Sequence, residues 1–310
     1  MFVKTAVASI VCFGIMTGCD AIRSPSAGTG MQHTIPEEFF TDPLQRQLAI
    51  AVDKGDAQAV DAAVKAGAQV NSWGKAGFSL LYWAMARKSV AGFEALLKNG
   101  ADATVDYRNP SRLPDDFPRE SVIRLAVQAE DPGFLRAALR QGFDPDYILD
   151  KNGKETLLFV AGAAHSQQAM QLLLDAGANI EHQDLMGFTA LGDAMLRRDF
   201  ETMWFLLQRG ADPMTGSTRG SDVPSKFRMY GSRGVRPDQR EYFEKVVDDL
   251  VRRGLLTRQD IVEADKPKQS TLDDGPPGIT VIEHDPNSEA GQAILDLDRA
   301  EREANRRDGR

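Results

Sequence analysis

Histidines and paired carboxylates are the residues of this 310-residue chain that could perform metal or acid–base chemistry. A metal site needs such ligands at close, repeating spacing, and acid–base catalysis needs a titratable side chain beside its substrate. The four histidines lie far apart, at His33, His165, His182 and His284. Neighbouring carboxylates such as Asp115-Asp116 more often belong to a solvated surface. The sequence therefore nominates no catalytic or metal-binding residue, and it predicts neither an enzyme nor a cofactor.

Cys19 is the residue best placed for a chemical modification, because it ends the segment MFVKTAVASIVCFGIMTGC. Lys4 precedes an apolar run that is too short to span a membrane and is typical of a secretory signal. Met16-Thr17-Gly18-Cys19 resembles a bacterial lipobox, although methionine stands where leucine is commoner. The resemblance implies that residues 1–18 are a lipoprotein signal peptide and that Cys19 becomes acylated. The alternative is an ordinary signal peptide cut elsewhere, which would leave Cys19 as a thiol.

These features predict a lipid-anchored protein of the bacterial periplasm. Asp20 follows the cysteine, and in enterobacterial lipoproteins an aspartate there implies retention at the inner membrane; the outer membrane is the alternative. The other cysteine, Cys12, lies in the segment that would be removed, so the mature chain would hold no disulfide. The formal net charge of −8 gives no support to nucleic-acid binding.

A leucine-rich run that ends in glycine recurs through most of the remaining chain. The glycines are 33, 42, 35 and 33 residues apart, at Gly67, Gly100, Gly142, Gly177 and Gly210. A hydroxyl residue keeps the same period and is followed five residues later by alanine, at Ser79, Ser121, Thr156 and Thr189. Serine or threonine before an apolar run caps a helix, and glycine ends one. A period near 33 residues predicts stacked helical hairpins that share one core.

These residues resemble the ankyrin repeat, whose pattern is G-x-T-P-L-H-x-A-A followed by a second helix ending in L-L-x-x-G-A-D. GFTALGDA from Gly187 and LLQRGAD from Leu206 match it well, as do GFSLLYWA from Gly77 and LLKNGAD from Leu96. The resemblance covers about residues 42–214 and implies an all-α solenoid of about five helix-turn-helix repeats with hairpin fingers. The family's T-P-L-H is SLLY, SVIR, TLLF or TALG here, so the hydrogen bonds of its histidine must be replaced or absent.

The segments outside the repeats complete the predicted organisation. Residues 19–41 are predicted to be a flexible tether, and residues 215–237 a basic irregular loop. Residues 238–264 are predicted to be a helical cap, because a solenoid needs its exposed end closed. Residues 265–310 are highly charged and are predicted to be a disordered tail.

The resemblance also implies where a partner would bind, since in this family the finger tips and first helices form a concave face that holds other proteins. The family's variable positions fall on Trp73, Lys75, Ala76, Ala86 and Arg87 in one repeat. In a later repeat they fall on Gln183, Leu185, Met186, Leu196 and Arg197. Large apolar, aromatic and arginine side chains at such positions indicate an interface, because they dominate binding hot spots. The alternative is that each folds back onto a neighbouring finger.

Two further segments are candidate contacts. The long spacing before Gly142 places extra chain at residues 103–119, which hold Tyr107, Arg108, Arg112 and Phe117. The basic loop at 215–237 has five basic residues against Asp222 alone: Arg219, Lys226, Arg228, Arg233 and Arg236. It could steer an acidic partner or touch anionic lipid headgroups, or it could be a mobile linker.

Together these patterns predict a membrane-tethered periplasmic module that binds and masks another protein without turnover. Periplasmic lipoproteins with repeat folds serve as immunity proteins against type VI secretion effectors, lipases among them, so the resemblance allows a toxic effector as partner. The alternatives are an envelope scaffold or stress-protection factor with a partner from the same cell, and an enzyme with an unrecognised site. The sequence itself names no partner.

Overall fold

Pairs of short helices, with a finger before each inner helix from the second pair onward, make up the described part of this computed structural model. The structure describes residues 36–75, 77–108, 120–150, 154–215 and 222–266. Several predictions therefore fall outside the described residues: those for the signal peptide, Cys19, Ala76, Arg112, Phe117, Arg219 and the tail beyond residue 266.

Five successive units share one arrangement, in which a first helix, here the inner helix, is followed by a second, the outer helix. A single-turn helix, α1 (Pro36–Phe39), precedes them. The pairs are α2 (Pro43–Lys54) with α3 (Ala57–Lys65), α4 (Leu80–Ala86) with α5 (Val90–Lys98), α6 (Val122–Gln128) with α7 (Gly133–Arg140), α8 (Leu157–Ala163) with α9 (Gln167–Asp175), and α10 (Ala190–Arg197) with α11 (Phe200–Gln208). Inner helices of neighbouring units pack on one another, and most outer helices do the same, around one continuous apolar core.

The inner helices begin where the hydroxyl spacing predicted. Three of the four predicted residues accept a hydrogen bond from the backbone N–H three positions later: Ser79, Ser121 and Thr189. Thr156 occupies the fourth position without making this bond. The first unit has no hydroxyl there, and Asp42 starts α2 in its place by accepting the N–H of Gln45 at 2.9 Å. A short carboxylate thus performs the same capping as serine.

The outer helices end at the predicted glycines, whose φ angles lie between 82° and 106°. The residue after each glycine donates its N–H to the carbonyl five positions earlier, as Ala178 does to Leu173 at 3.0 Å. A Cβ added at Gly177 would have no atom within 4 Å. The left-handed backbone, and not crowding, therefore selects glycine at this position.

Residues 223–230 form a helix within the segment 215–237 that the sequence predicted to be an irregular loop. Asp222 accepts the N–H of Ser225 at 2.7 Å and starts α12 (Val223–Tyr230), whose Val223 and Phe227 are buried. This helix packs on α10, as one inner helix packs on the next. The prediction failed because an aspartate replaces the expected hydroxyl and the segment holds few apolar residues.

The predicted helical cap turns out to include the outer helix of a sixth unit. Helix α13 (Arg240–Arg252) packs on α11 and is followed by Gly254, whose φ is 72°. Leu255 donates its N–H to the carbonyl of Leu250 at 2.9 Å, the bond that ends the other outer helices. Helix α14 (Arg258–Asp265) then packs on α12 and covers the end of the array.

The N-terminal end of the array is covered by residues that the sequence assigned to the tether. Phe39 and Phe40 are each only 3% exposed. Their ring centroids lie 4.8 and 6.0 Å from that of Trp83 in α4. Of the predicted tether 19–41, the described residues from Pro36 onward therefore belong to the packed array.

The finger is the segment between the glycine of one unit and the next inner helix. In one finger, β1 (Ile148–Asp150) pairs with β2 (Glu155–Thr156) in an antiparallel hairpin. Neighbouring fingers are joined by hydrogen bonds from a backbone N–H of one finger to a side chain of the finger before it. Asn71 accepts the N–H of Asp102, Asp146 accepts that of Asn179, and Glu181 accepts that of Asp212. The corresponding residue of the finger between α5 and α6 is Thr104, whose hydroxyl instead donates to Asp102 of the same finger at 2.6 Å.

Candidate protein-binding face

The finger tips and inner helices form the candidate binding face, and the fifth unit exposes large apolar side chains on both. Leu185 and Met186, at the tip of the finger before α10, are 64% and 54% exposed. Leu196, in the last turn of α10, is 50% exposed. Asp184 shapes this tip, because its Oδ1 accepts the N–H groups of Met186 and Phe188, each at 2.8 Å. The tip is therefore ordered by its own carboxylate while its apolar side chains face solvent.

The second unit presents its predicted contacts differently. Trp73 is half-buried and bridges to Ser79 across the base of its finger, whereas Lys75 is exposed. The backbone N–H of Lys75 donates to the carbonyl of Phe39 at 2.8 Å, which joins the finger tip to α1. Trp73 thus follows the fold-back alternative in part, and Lys75 remains a surface residue.

The arginines predicted as contacts are held by carboxylates within the array. Arg87 Nη2 lies 3.1 Å from Asp53 Oδ2, and its guanidinium lies 5.5 Å from the centroid of the Trp83 ring. Arg197 pairs with Asp193 one turn earlier on α10. Burial lowers the pKa of Arg197, and nearby Asp199 partly offsets this. A partner would therefore meet arginine charges that are already balanced by carboxylates of the array.

An aromatic cluster adjoins the third finger. The rings of Phe78, Tyr82 and Tyr107 form a triangle, in which Tyr82 lies 5.1 Å from Phe78 and 4.6 Å from Tyr107 and the other two lie 6.1 Å apart. Arg108 covers Tyr107 at 4.6 Å from the ring centroid and lies 3.8 Å from Asp106 Oδ1. Burial raises the pKa of Tyr107 to about 12, with Arg108 opposing the shift, and burial also raises the pKa of Tyr82. The predicted contacts Tyr107 and Arg108 therefore form part of a packed platform.

Tyr107 is expected to lose its proton only near pH 12, above its ordinary value of 10. Because the folded state favours the neutral phenol, its contribution to stability is present below pH 10 and disappears as pH rises through about 12. Since the ring is only half-buried, we expect this contribution to be about 1 kcal/mol. Phenolate absorbance should be followed against pH in the wild type and in Tyr107→Phe. A difference curve centred on the ordinary tyrosine value would contradict the burial argument.

The comparisons with known proteins identify these units. A family model described as ankyrin repeats matches residues 123–216, in three copies. The units within residues 123–216 are ankyrin repeats. The matched stretch runs from α6 to the finger after α11, and the remaining units follow the same helix pairing. The predicted all-α ankyrin-repeat fold is thereby confirmed, whereas the lipoprotein signal peptide stays a prediction.

The chain is similar to the nuclear factor NF-kappa-B p105 subunit of Gallus gallus, with 29% identity over 173 residues. That match spans 56% of this chain and 17% of the length of that relative. Among solved structures, it is similar to the ankyrin repeat domain of Bcl-3, at 24% identity and a TM-score of 0.49, covering 64% of this chain and 85% of that one. An ankyrin repeat domain from Acinetobacter baumannii AYE shows 21% identity and a TM-score of 0.47, covering 65% and 96%.

Two of the histidines are described, and each contacts a neighbouring element of the ankyrin array. His165, at the turn between α8 and α9, has a left-handed φ of 52° and places Nδ1 2.8 Å from Oδ2 of Asp199, which caps α11. His182 Nε2 lies 2.9 Å from the carbonyl oxygen of Lys154. The described ranges contain no group of three potential metal ligands and no helix with the length and apolarity to cross a membrane.

The sequence missed four exposed apolar residues of the ankyrin array: Ile148, Met214, Met229 and Tyr230, which are between 38% and 51% exposed. Ile148 and Met214 belong to fingers, and the other two lie in α12. The sequence could have indicated that Ile148 and Met214 are exposed, because each follows a repeat glycine by a few positions and therefore lies in a finger. The exposure of Met229 and Tyr230 could not be predicted, because their positions in the repeat are defined only once α12 is known to be the inner helix of a sixth unit.

Proposed function

We propose that the protein is a binding module that holds another protein on the finger and inner-helix face of its ankyrin repeats. Ankyrin repeats are typical of protein–protein interaction modules, and the observation that carries the proposal is the exposure of Leu185, Met186 and Leu196 in one unit. Water contact with this apolar surface is unfavourable by about 25 cal/mol per Å². A partner that covers it removes that cost, so the exposed side chains favour association.

We further propose that acylated Cys19 tethers this module in the bacterial periplasm, where it masks a toxic effector such as a lipase. The lipobox Met16-Thr17-Gly18-Cys19 supports the tether. A tether confines the module to the membrane surface and raises its effective concentration there to the order of millimolar. An enzyme that attacks the membrane would therefore encounter the tethered module at the membrane surface, and binding to the module would be enough to block it.

Charged substitutions on the face are expected to abolish partner capture. Leu185→Asp combined with Leu196→Asp should raise the dissociation constant of the partner by up to about 1,000-fold, since two hot-spot side chains each contribute about 2 kcal/mol. The partner should then no longer be recovered after crosslinking in cells. Gln168→Asp, at an exposed position on outer helix α9, is the matched control and should leave capture unchanged. Equal capture by the double variant and the wild type, with the fold intact by circular dichroism, would remove the proposed face.

The tether has its own test. Wild-type protein should incorporate labelled palmitate and have acylated Cys19 as its first residue by mass spectrometry, whereas Cys19→Ser should incorporate none. An unlabelled wild-type protein, or a different first residue, would rule out the lipid anchor. This result would not affect the binding face, which is tested separately.

The masking role is tested in cells that produce the effector. Deleting the gene should reduce fitness only while the neighbouring toxin genes remain, and the wild-type gene should restore it. The Leu185→Asp, Leu196→Asp double variant should fail to restore it, because it cannot cover the toxin. Unchanged fitness after the deletion would end the immunity proposal, and capture of a resident envelope protein would identify a scaffold instead.

A further inference from the structure

Helix α12 carries Lys226, Met229 and Tyr230 at helical spacing, and Arg233 follows in the turn just after its end. Lys226 is half-buried and the other three are exposed, and we call these four residues the stripe. Met229 is 51% exposed and Tyr230 is 39% exposed, although Phe227 beside them is buried. Arg233 folds back over the end of the helix, where its Nη2 donates to the carbonyl of Met229 at 3.1 Å. The helix therefore buries one side in the array and presents an apolar centre with a cation at each end.

The repeat register places this stripe on the binding face. Met229 follows its N-cap Asp222 by seven residues, as Leu196 follows Thr189. Because α10 packs on α12, Met229 continues the row that Leu196 begins. The same position holds Ala86 in the second unit, Gln128 in the third and Ala163 in the fourth. Among these five units, only the fifth and sixth therefore place a large apolar side chain on this row.

The charge of the sixth unit differs from that of the whole chain. Residues 222–240 hold five basic residues against two acidic ones, although the formal net charge of the chain is −8. Arg228 lies 3.7 Å from Asp260 and Arg236 lies 3.3 Å from Asp238, so those two are matched by carboxylates. Among the described residues, no carboxylate is within 4.0 Å of the charged nitrogens of Lys226 or Arg233. These two cations can therefore pair with carboxylates from outside.

We infer that the sixth unit forms one end of the binding face and takes a segment of the partner in which one or two large apolar side chains are flanked by carboxylates. This inference rests on the proposed function. Leu196 and Met229 would cover the apolar side chains, and methionine adapts to irregular shapes. Lys226 and Arg233 would pair with the carboxylates, an attraction that weakens as salt is added.

A random peptide library displayed on phage tests this chemistry without knowledge of the partner. The target is the chain from Asp20 onward, which retains every described residue. Selected peptides should be enriched in Asp or Glu beside Leu, Ile, Phe or Met. A synthetic representative should bind about tenfold more weakly to Met229→Asp and to Lys226→Glu combined with Arg233→Glu. Lys65→Glu, on outer helix α3, is the matched charge control and should bind as the wild type does.

Exchanging the charges between protein and peptide distinguishes a loss of specific recognition from a loss of binding caused by misfolding of the variant. A peptide with its carboxylates replaced by lysines should bind the Lys226→Glu, Arg233→Glu protein better than it binds the wild type. The inference is overturned if no acidic–apolar peptides are selected, or if the selected peptides ignore the sixth-unit variants. Peptides lost only with Leu185→Asp and Leu196→Asp would overturn it while leaving the proposed face in place. Binding of the wild type to phosphatidylglycerol vesicles, lost in Met229→Asp and without peptide selection, would assign the stripe to lipid.

Discussion

Replacing Gly92 with alanine is expected to lower the free energy of unfolding by about 3 kcal/mol. A Cβ at this position would lie 2.2 Å from the carbonyl oxygen of Val52 in α2. That oxygen also accepts the hydroxyl of Ser89, at 2.5 Å, and the hydroxyl caps α5. The first two units therefore approach through the bare backbone of Gly92, and a methyl group would force them apart.

Gly162→Ala is the matched control for this substitution. Gly162 also lies inside a buried helix, but a Cβ there would meet Thr202 Cγ2 at 3.5 Å, an ordinary contact. Because alanine favours helix more than glycine does, we expect this variant to be more stable by about 0.5–1 kcal/mol. Urea unfolding of both variants measures the two changes, and a similar loss in both would show that close approach is not the cause.

Trp83→Ala is expected to cost about 3–5 kcal/mol of unfolding free energy. The side chain is fully buried and contacts both Phe39 and Phe40. Its Nε1 donates to Asp53 Oδ1 at 2.8 Å, so removal leaves a cavity and deprives a carboxylate of one donor. Helix α1 should detach as well, since its Phe39 and the adjoining Phe40 would lose the ring that they contact.

Urea unfolding measures the loss of stability, and limited proteolysis near residue 41 reports the detachment. Trp83→Phe keeps an aromatic ring and loses the hydrogen bond, so it should cost about 1–2 kcal/mol. Trp73→Ala should cost less than Trp83→Ala, because Trp73 is only half-buried. Unchanged protease resistance at the N-terminal end in Trp83→Ala would contradict the role of the ring in holding α1.

The elements that local rules specify could be predicted from the sequence. A glycine such as Gly177 must adopt a left-handed φ, and a serine such as Ser79 bonds an N–H three residues away, so both act within a few positions of themselves. Their period therefore revealed the helix pairs and the ends of most helices. The exposure of Leu185 and Met186 followed from the same period, because it placed them at a finger tip.

The interactions that depend on stacking could not be predicted in this way. Arg87 is paired with Asp53 from the preceding unit, and that pairing follows from the separation of stacked helices. The burial of Phe39 and Phe40 likewise requires the position of Trp83. The sixth unit escaped prediction because its glycine, Gly254, lies 44 residues after Gly210 and breaks the period.

The hydroxyl of Thr104, which bonds within its own finger, has a mechanical consequence. Solenoid units contact only their neighbours, so the stiffness of each junction depends on the bonds made there. Between the second and third units the outer helices stay joined through Phe93 and Phe134, whose rings lie 5.3 Å apart. This junction is expected to bend as a hinge that opens on the finger side. Spin-label distances across it should be broader than those across the junction joined by Asp146 and Asn179, and the curvature of the groove would then adjust to its occupant.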